Sequence, residues 1–111
     1  MNEGLPKDAA LHVADCLPAL RARLLDYIAP RATLKRRTER LKPDESERTE
    51  RLARIIATAR YVWGDDELAQ AFLTTPHQML HGKPPIEVAF TELGARQVEE
   101  LLWDIYYGLS A

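Results

Sequence analysis

The placement of proline constrains this chain more than any other feature. Seven prolines divide its 111 residues. Between them apolar side chains recur at helical intervals without a sustained period-two alternation, and no Asn-Gly or Asp-Gly pair is present to open a tight hairpin. Ala10, Val13, Ala14 and Leu17 form a short stripe behind Pro6. Pro18 interrupts it and opens a second helix, on which Leu20, Leu24, Leu25 and Ile28 recur until Pro30 disfavours the helical region for the residue before it. A third helix is expected from Ala32 to Leu41. Pro43, followed by Asp44 and Glu45 at the positive end of a helix, starts a fourth with Leu52, Ile55, Ile56, Ala59, Val62 and Trp63 on one face.

Gly64 ends that long helix, and Asp65 is placed to cap a short one from Asp66 to Leu73. Residues 74–85 carry three prolines and a glycine and read as turn, with one helical turn at Gln78 to Leu80. Pro85 opens a short helix to Phe90. Gly94 is expected to precede the last helix, where Val98, Leu101, Leu102, Ile105 and Tyr106 line one side before Gly108. The pattern predicts an all-α chain of about seven helices. Its organisation is a helix-turn-helix-like bundle over residues 1–43, a connecting helix over 44–63 and a small helical domain over 64–111. A chain this short leaves little room for a large buried active site.

Charge is distributed unevenly. Residues 1–30 hold three Lys or Arg against four Asp or Glu, residues 31–60 ten against five, and residues 61–111 two against eight. The balance runs from near neutral to +5 to −6, which points to two surfaces with different partners. Arg31, Lys35, Arg36, Arg37, Arg40 and Lys42 crowd twelve residues with one acid, Glu39. Short helices ending in a basic one have the outline of a helix-turn-helix. On that reading residues 18–28 support, and the segment from Thr33 to Arg40 enters the major groove. Arg36 and Arg40 share a helix face with Arg37 beside them, and Arg31, Thr33 and Lys35 complete the DNA-binding set. Aromatic residues are uneven too: Tyr27 stands alone in the first sixty positions, and seven others follow. That profile suits contact with another protein.

The inventory for catalysis is thin. Cys16 is the single cysteine, which excludes an internal disulfide and reads as a packing thiol. His77 and His81 are four apart without a third ligand or an HExxH pattern, and no glycine-rich phosphate loop occurs. No catalytic residue, metal or cofactor is expected. Without a signal peptide or an apolar run long enough to span a bilayer, the expected location is the cytoplasm, with no membrane partner.

One ordered series is more specific. It runs Ala59-Arg60-Tyr61-Val62-Trp63-Gly64-Asp65, Phe72-Leu73-Thr74-Thr75-Pro76-His77, Leu80-His81-Gly82-Lys83-Pro84-Pro85-Ile86-Glu87-Val88 and Thr91-Glu92-Leu93-Gly94-Ala95, and ends in Leu101-Leu102 and Tyr107-Gly108. It resembles the C-terminal toxin-binding domain of the Xre/MbcA/ParS antitoxins, with Phe72 where a Trp is common and His77 where an Asn is common. Thr33-Leu34, Arg36-Arg37, Leu41 and Glu45-Ser46-Glu47-Arg48 resemble, more loosely, the family's N-terminal helix-turn-helix region.

The resemblance implies a non-enzymatic antitoxin. Its partner would be a RES-domain toxin that uses NAD, either degrading it or transferring ADP-ribose. The antitoxin would block the toxin's NAD pocket and, with the toxin, repress its own operon by binding operator DNA. A homodimer within a hetero-oligomeric toxin–antitoxin complex is expected. Residues expected to meet the toxin are Trp63, Pro76, His77, Met79, Leu80, Lys83, Pro84, Trp103, Tyr107 and Gly108. Tyr106 and Tyr107 lie about 100° apart on a helix, so Tyr106 is assigned to the core and Tyr107 to the partner. The alternatives are a stand-alone transcriptional regulator whose C-terminal half only dimerises, and a small adaptor that binds no DNA.

Overall fold

The computed structural model describes residues 4–36 and 40–108, and every regular element among them is helical. In order these are α1 (Lys7–Asp15), α2 (Arg21–Ile28), α3 (Arg31–Arg36), α4 (Pro43–Trp63), α5 (Asp66–Thr74), α6 (Pro85–Val88) and α7 (Glu92–Tyr107), with 3-10 turns at Pro18–Leu20 and Gln78–Leu80. The fold is all-α: a helical N-terminal bundle, a long helix, and a small helical C-terminal domain. Two compact units share the chain, one ending at Glu50 and the other starting at Arg51, so α4 supplies residues to both.

The first unit buries the stripes predicted for it except Leu20, which is half-buried in the 3-10 turn that Pro18 opens, α2 itself starting at Arg21. Ala10, Val13, Ala14 and Leu17 meet a core that includes Leu24, Leu25, Ile28 and Leu34. α2 stops because Ala29 is extended (φ −164°, ψ 152°), the conformation a following proline favours. Arg48 donates to the Ile28 carbonyl oxygen at 2.8 Å, satisfying one acceptor left open at that helix end. α3 restarts at once, with the Leu34 N–H donating to the Pro30 oxygen at 2.8 Å. At the start of α4 the Lys42 N–H donates to Glu45 Oε1 at 2.8 Å, the returning half of a capping box.

The third helix is shorter than the Ala32–Leu41 span read from the sequence. Arg40 pairs antiparallel with Pro6, and the Leu41 N–H donates to the Leu5 oxygen at 2.9 Å. Backbone that pairs across to another segment cannot continue the helical i→i−4 ladder. The Leu5 N–H donates to Ser46 Oγ at 2.8 Å, tying the same strap to α4. Gly4 has to be small here: a Cβ at that position would strike the Leu41 carbonyl.

In the second unit Leu52, Ile55, Ile56 and Ala59 of α4 are buried, as are Ala69 and Leu73 of α5, Ile86 of α6, and Val98, Leu101 and Leu102 of α7. Asp65 caps α5 by accepting from the Leu68 N–H at 2.9 Å. The last helix begins two residues before Gly94 rather than after it. Thr91 Oγ1 accepts from the Gly94 N–H at 3.0 Å, and a Cβ on Gly94 would strike the Val88 carbonyl, so glycine serves close packing inside the first turn. α4 and α7 are joined by ion pairs: Glu92 meets Arg51 at 3.3 Å and Arg54 at 3.1 Å, and Arg54 also meets Glu99 at 3.1 Å.

Candidate functional site

The ion pairs change how the charge pattern reads. Arg51, Arg54 and Arg60 belong to the stretch with ten cations, yet they sit in the second unit and pair with Glu92, Glu99 and Asp66. Counted by folded unit, the first carries +1 and the second −3. The basic character of the first unit is therefore local to α3 and its surroundings. There Leu34 is buried and anchors the helix, Thr33 is half-buried, and Arg31, Lys35 and Arg36 are exposed. Arg31 contacts Asp26 at 3.2 Å across the turn between α2 and α3. Arg37 lies outside the described residues. Arg40, expected on one helix face with Arg36, is instead on the strap segment, and its guanidinium donates to the Gly4 oxygen at 2.9 Å.

The residues assigned to toxin contact fall into three groups within the second unit. The first supports the turn after α5. Trp63 packs on Phe72 (ring centroids 5.8 Å apart), and Phe72 meets the edge of His77 at 6.3 Å. His77 Nδ1 accepts from the Met79 N–H at 3.2 Å, while the His77 carbonyl accepts from the N–H groups of Leu80 and Gly82. The His77 N–H donates to the Lys83 oxygen at 3.2 Å, which closes the loop. Exposed Pro76 and half-buried Pro84 flank it. Leu80, expected to insert into a partner, is buried in its own unit.

The second group borders a groove of about 540 Å³ between this turn, α6 and α7. Met79 and Leu93 line it and are each 71% exposed, an unusual position for large apolar side chains. Glu87, Glu100 and Asp104 are acids of its lining, and Lys83 is a cation of it. The sequence reading found Met79 and Lys83 but missed Leu93. Leu93, Gln97, Glu100 and Asp104 follow one another at i, i+4, i+7 and i+11, so Leu93 is the single apolar residue on an otherwise polar helix face. That irregularity was the available signal.

Trp103 and Tyr107 form the third group with Tyr61 and Tyr106. Trp103 lies 5.9 Å from Tyr61, 5.5 Å from Tyr106 and 6.1 Å from Tyr107, measured between ring centroids. Tyr106 is not a core residue: it is 45% exposed, against 63% for Tyr61 and 66% for Tyr107. The buried stripe of α7 ends at Leu102, and beyond it the helix turns its side chains toward Tyr61 on α4. The Tyr61 and Tyr106 hydroxyls stand 3.4 Å apart, and this hydrogen bond raises the Tyr106 phenol above its ordinary range. Gly108, with φ 67°, ends the helix beside this patch. Among the described residues no cluster of three His, Cys, Asp or Glu is arranged to hold a metal ion, and no helix is long and apolar enough to cross a membrane.

Comparison with known proteins follows the two units. Residues 58–108 match the antitoxin Xre/MbcA/ParS C-terminal toxin-binding domain, and residues 2–54 match the antitoxin Xre-like helix-turn-helix domain. A curated relative, Antitoxin Xre of Pseudomonas putida, is 41% identical over 86 residues, covering 75% of this chain. The chain spans about half the length of that relative, 54% of it. With two domain matches that meet within the long helix and a relative aligned across most of the chain, this protein belongs to the Xre/MbcA/ParS antitoxin family.

Proposed function

We propose that this chain acts in the cytoplasm as an antitoxin for a RES-domain, NAD-using toxin, blocking the toxin's active site with its second unit. The first unit binds operator DNA through Arg31, Thr33, Lys35 and Arg36, with Arg37 and Arg40 as flanking cations, so that the toxin–antitoxin complex represses its operon. The observation that carries the toxin reading is the groove between Met79 and Leu93. Two strongly exposed apolar side chains stand on a concave surface with acids in its lining, within the span that matches a toxin-binding domain.

An apolar partner segment flanked by Lys or Arg fits such a surface, and a toxin cleft that accepts anionic NAD supplies that charge. Pro76, Pro84 and the hydrogen bonds around His77 hold the loop in shape before docking, which lowers the entropy lost on binding. Trp63 supports this loop from behind through Phe72. The test is to identify the reading frame adjacent to this chain's gene and, where it encodes a RES-domain protein, to measure NAD consumption by that purified protein. Wild-type protein should suppress it, and Met79→Glu should release it by an order of magnitude or so, as loss of a central interface anchor does. Full inhibition by a folded Met79→Glu variant would remove the groove from the account.

A further inference from the structure

α3 is only six residues long, and a helix that short keeps its place through what anchors its two ends. Leu34 is buried and fixes it to the first unit, and beyond it Leu41 is buried in turn. Lys35, Arg36, Arg37 and Arg40 fall between these two leucines, so the basic segment is held at both ends. The far anchor is the strap made with residues 4–6. Pro6 bridges Arg40, the Leu41 N–H donates to the Leu5 oxygen at 2.9 Å, and the Arg40 guanidinium donates to the Gly4 oxygen at 2.9 Å.

The strap fits in one register. It is tied to α4 by a polar bond, the Leu5 N–H donating to Ser46 Oγ at 2.8 Å. The polar side chains buried among the described residues, Glu45, Ser46 and Thr49, all lie in the first two turns of α4. Glu45 accepts from the Lys42 N–H, and Thr49 Oγ1 donates to the Glu45 carbonyl oxygen at 2.9 Å. An apolar contact alone would tolerate a slip of one residue. Buried hydrogen bonds do not, because a slip leaves a donor without its acceptor. Gly4 adds a steric stop: a Cβ there would stand 1.8 Å from the Leu41 oxygen and 3.0 Å from Ser46 Oγ. We propose, on the reading that α3 and its surroundings meet operator DNA, that Gly4, Leu5 and Ser46 are positioning residues for that contact. They fix where the chain leaves the basic segment, so that Arg36, Arg37 and Arg40 are presented in one arrangement and less entropy is lost on binding.

Non-specific affinity follows the number of cations that reach phosphates, whereas discrimination between sequences follows their placement. The test is fluorescence anisotropy of the full chain with two duplexes over a range of salt. One carries the sequence upstream of this chain's gene, and the other the same bases in scrambled order. Gly4→Val and Ser46→Ala change no charge. Each should lower affinity for the upstream duplex about tenfold, the worth of a base contact. Affinity for the scrambled duplex, its salt slope and helix content by circular dichroism should stay as in the wild type. Ser46→Ala is the milder change and decides the matter if Gly4→Val unfolds. Folded variants that bind the upstream duplex as the wild type does would overturn the assignment and leave the DNA reading intact. So would an equal loss on both duplexes, the mark of a general loss of structure. A wild type that does not distinguish the duplexes removes the DNA reading, and the strap's role with it.

Discussion

His77 shows how an imidazole can do the ordinary job of a turn-capping acceptor. Its Nδ1 accepts the Met79 N–H, as an asparagine side-chain oxygen does when it caps a turn. Its edge rests on Phe72, which in turn covers Trp63. The residue therefore shapes the loop and need not touch the toxin. His77→Asn should hold stability close to that of the wild type, because the acceptor is retained. His77→Ala, which removes it, should cost about 1 kcal/mol. Urea denaturation of both variants checks this. Equal losses in the two would mean that the ring packing on Phe72, and not the acceptor, holds the turn.

The Glu92 cluster ties α4 to α7. Arg51, then Arg54, hold the Glu92 carboxylate through hydrogen bonds and lower its pKa below the ordinary glutamate range, with Arg96 adding a contact at 3.5 Å. A depressed carboxylate stabilises the fold above its unfolded-state pKa, and that contribution is lost as pH falls through the folded-state value. The melting temperatures of wild type and Glu92→Gln should thus differ at neutral pH and converge as acid protonates the glutamate. The gap should also narrow in high salt, since the cluster is at the surface. A gap that persists unchanged in acid would rule out ionisation as its origin. Elements were legible in the sequence wherever one local rule decided them. Proline and acids at Pro43–Glu45 and glycine at Gly64 bounded α4 as observed. α3 was overestimated because its end is set by pairing with residues 5–6, a contact about 35 positions away that no local pattern encodes. Tyr106 was misplaced for a related reason: its periodicity fitted the core stripe, but the space beside it belongs to Tyr61, 45 residues earlier. Leu93, by contrast, is legible in the sequence as a lone apolar residue on a polar face, although the sequence reading missed it.

At the scale of the whole molecule, division into units reassigns both charge and function. Arg51, Arg54 and Arg60 neutralise acids of their own unit, so the basic third of the sequence does not amount to a basic third of the surface. On the proposed reading, DNA binding rests on a few cations around α3, and toxin binding on one groove in the other unit. Such surfaces should be separable by mutation, since substitutions that share no partners and lie in different compact units act independently. The most direct measurement assays two double variants, Arg31→Ala with Arg36→Ala and Met79→Glu with Leu93→Glu, in an operator gel shift and a toxin NAD-consumption assay side by side. The arginine variant should lose operator affinity, by about 1–3 kcal/mol for each arginine that reads a base, and still silence the toxin. The groove variant should bind operator as the wild type does and leave the toxin active. If either folded variant loses both activities, or the groove variant inhibits as well as the wild type, the two-surface account is contradicted.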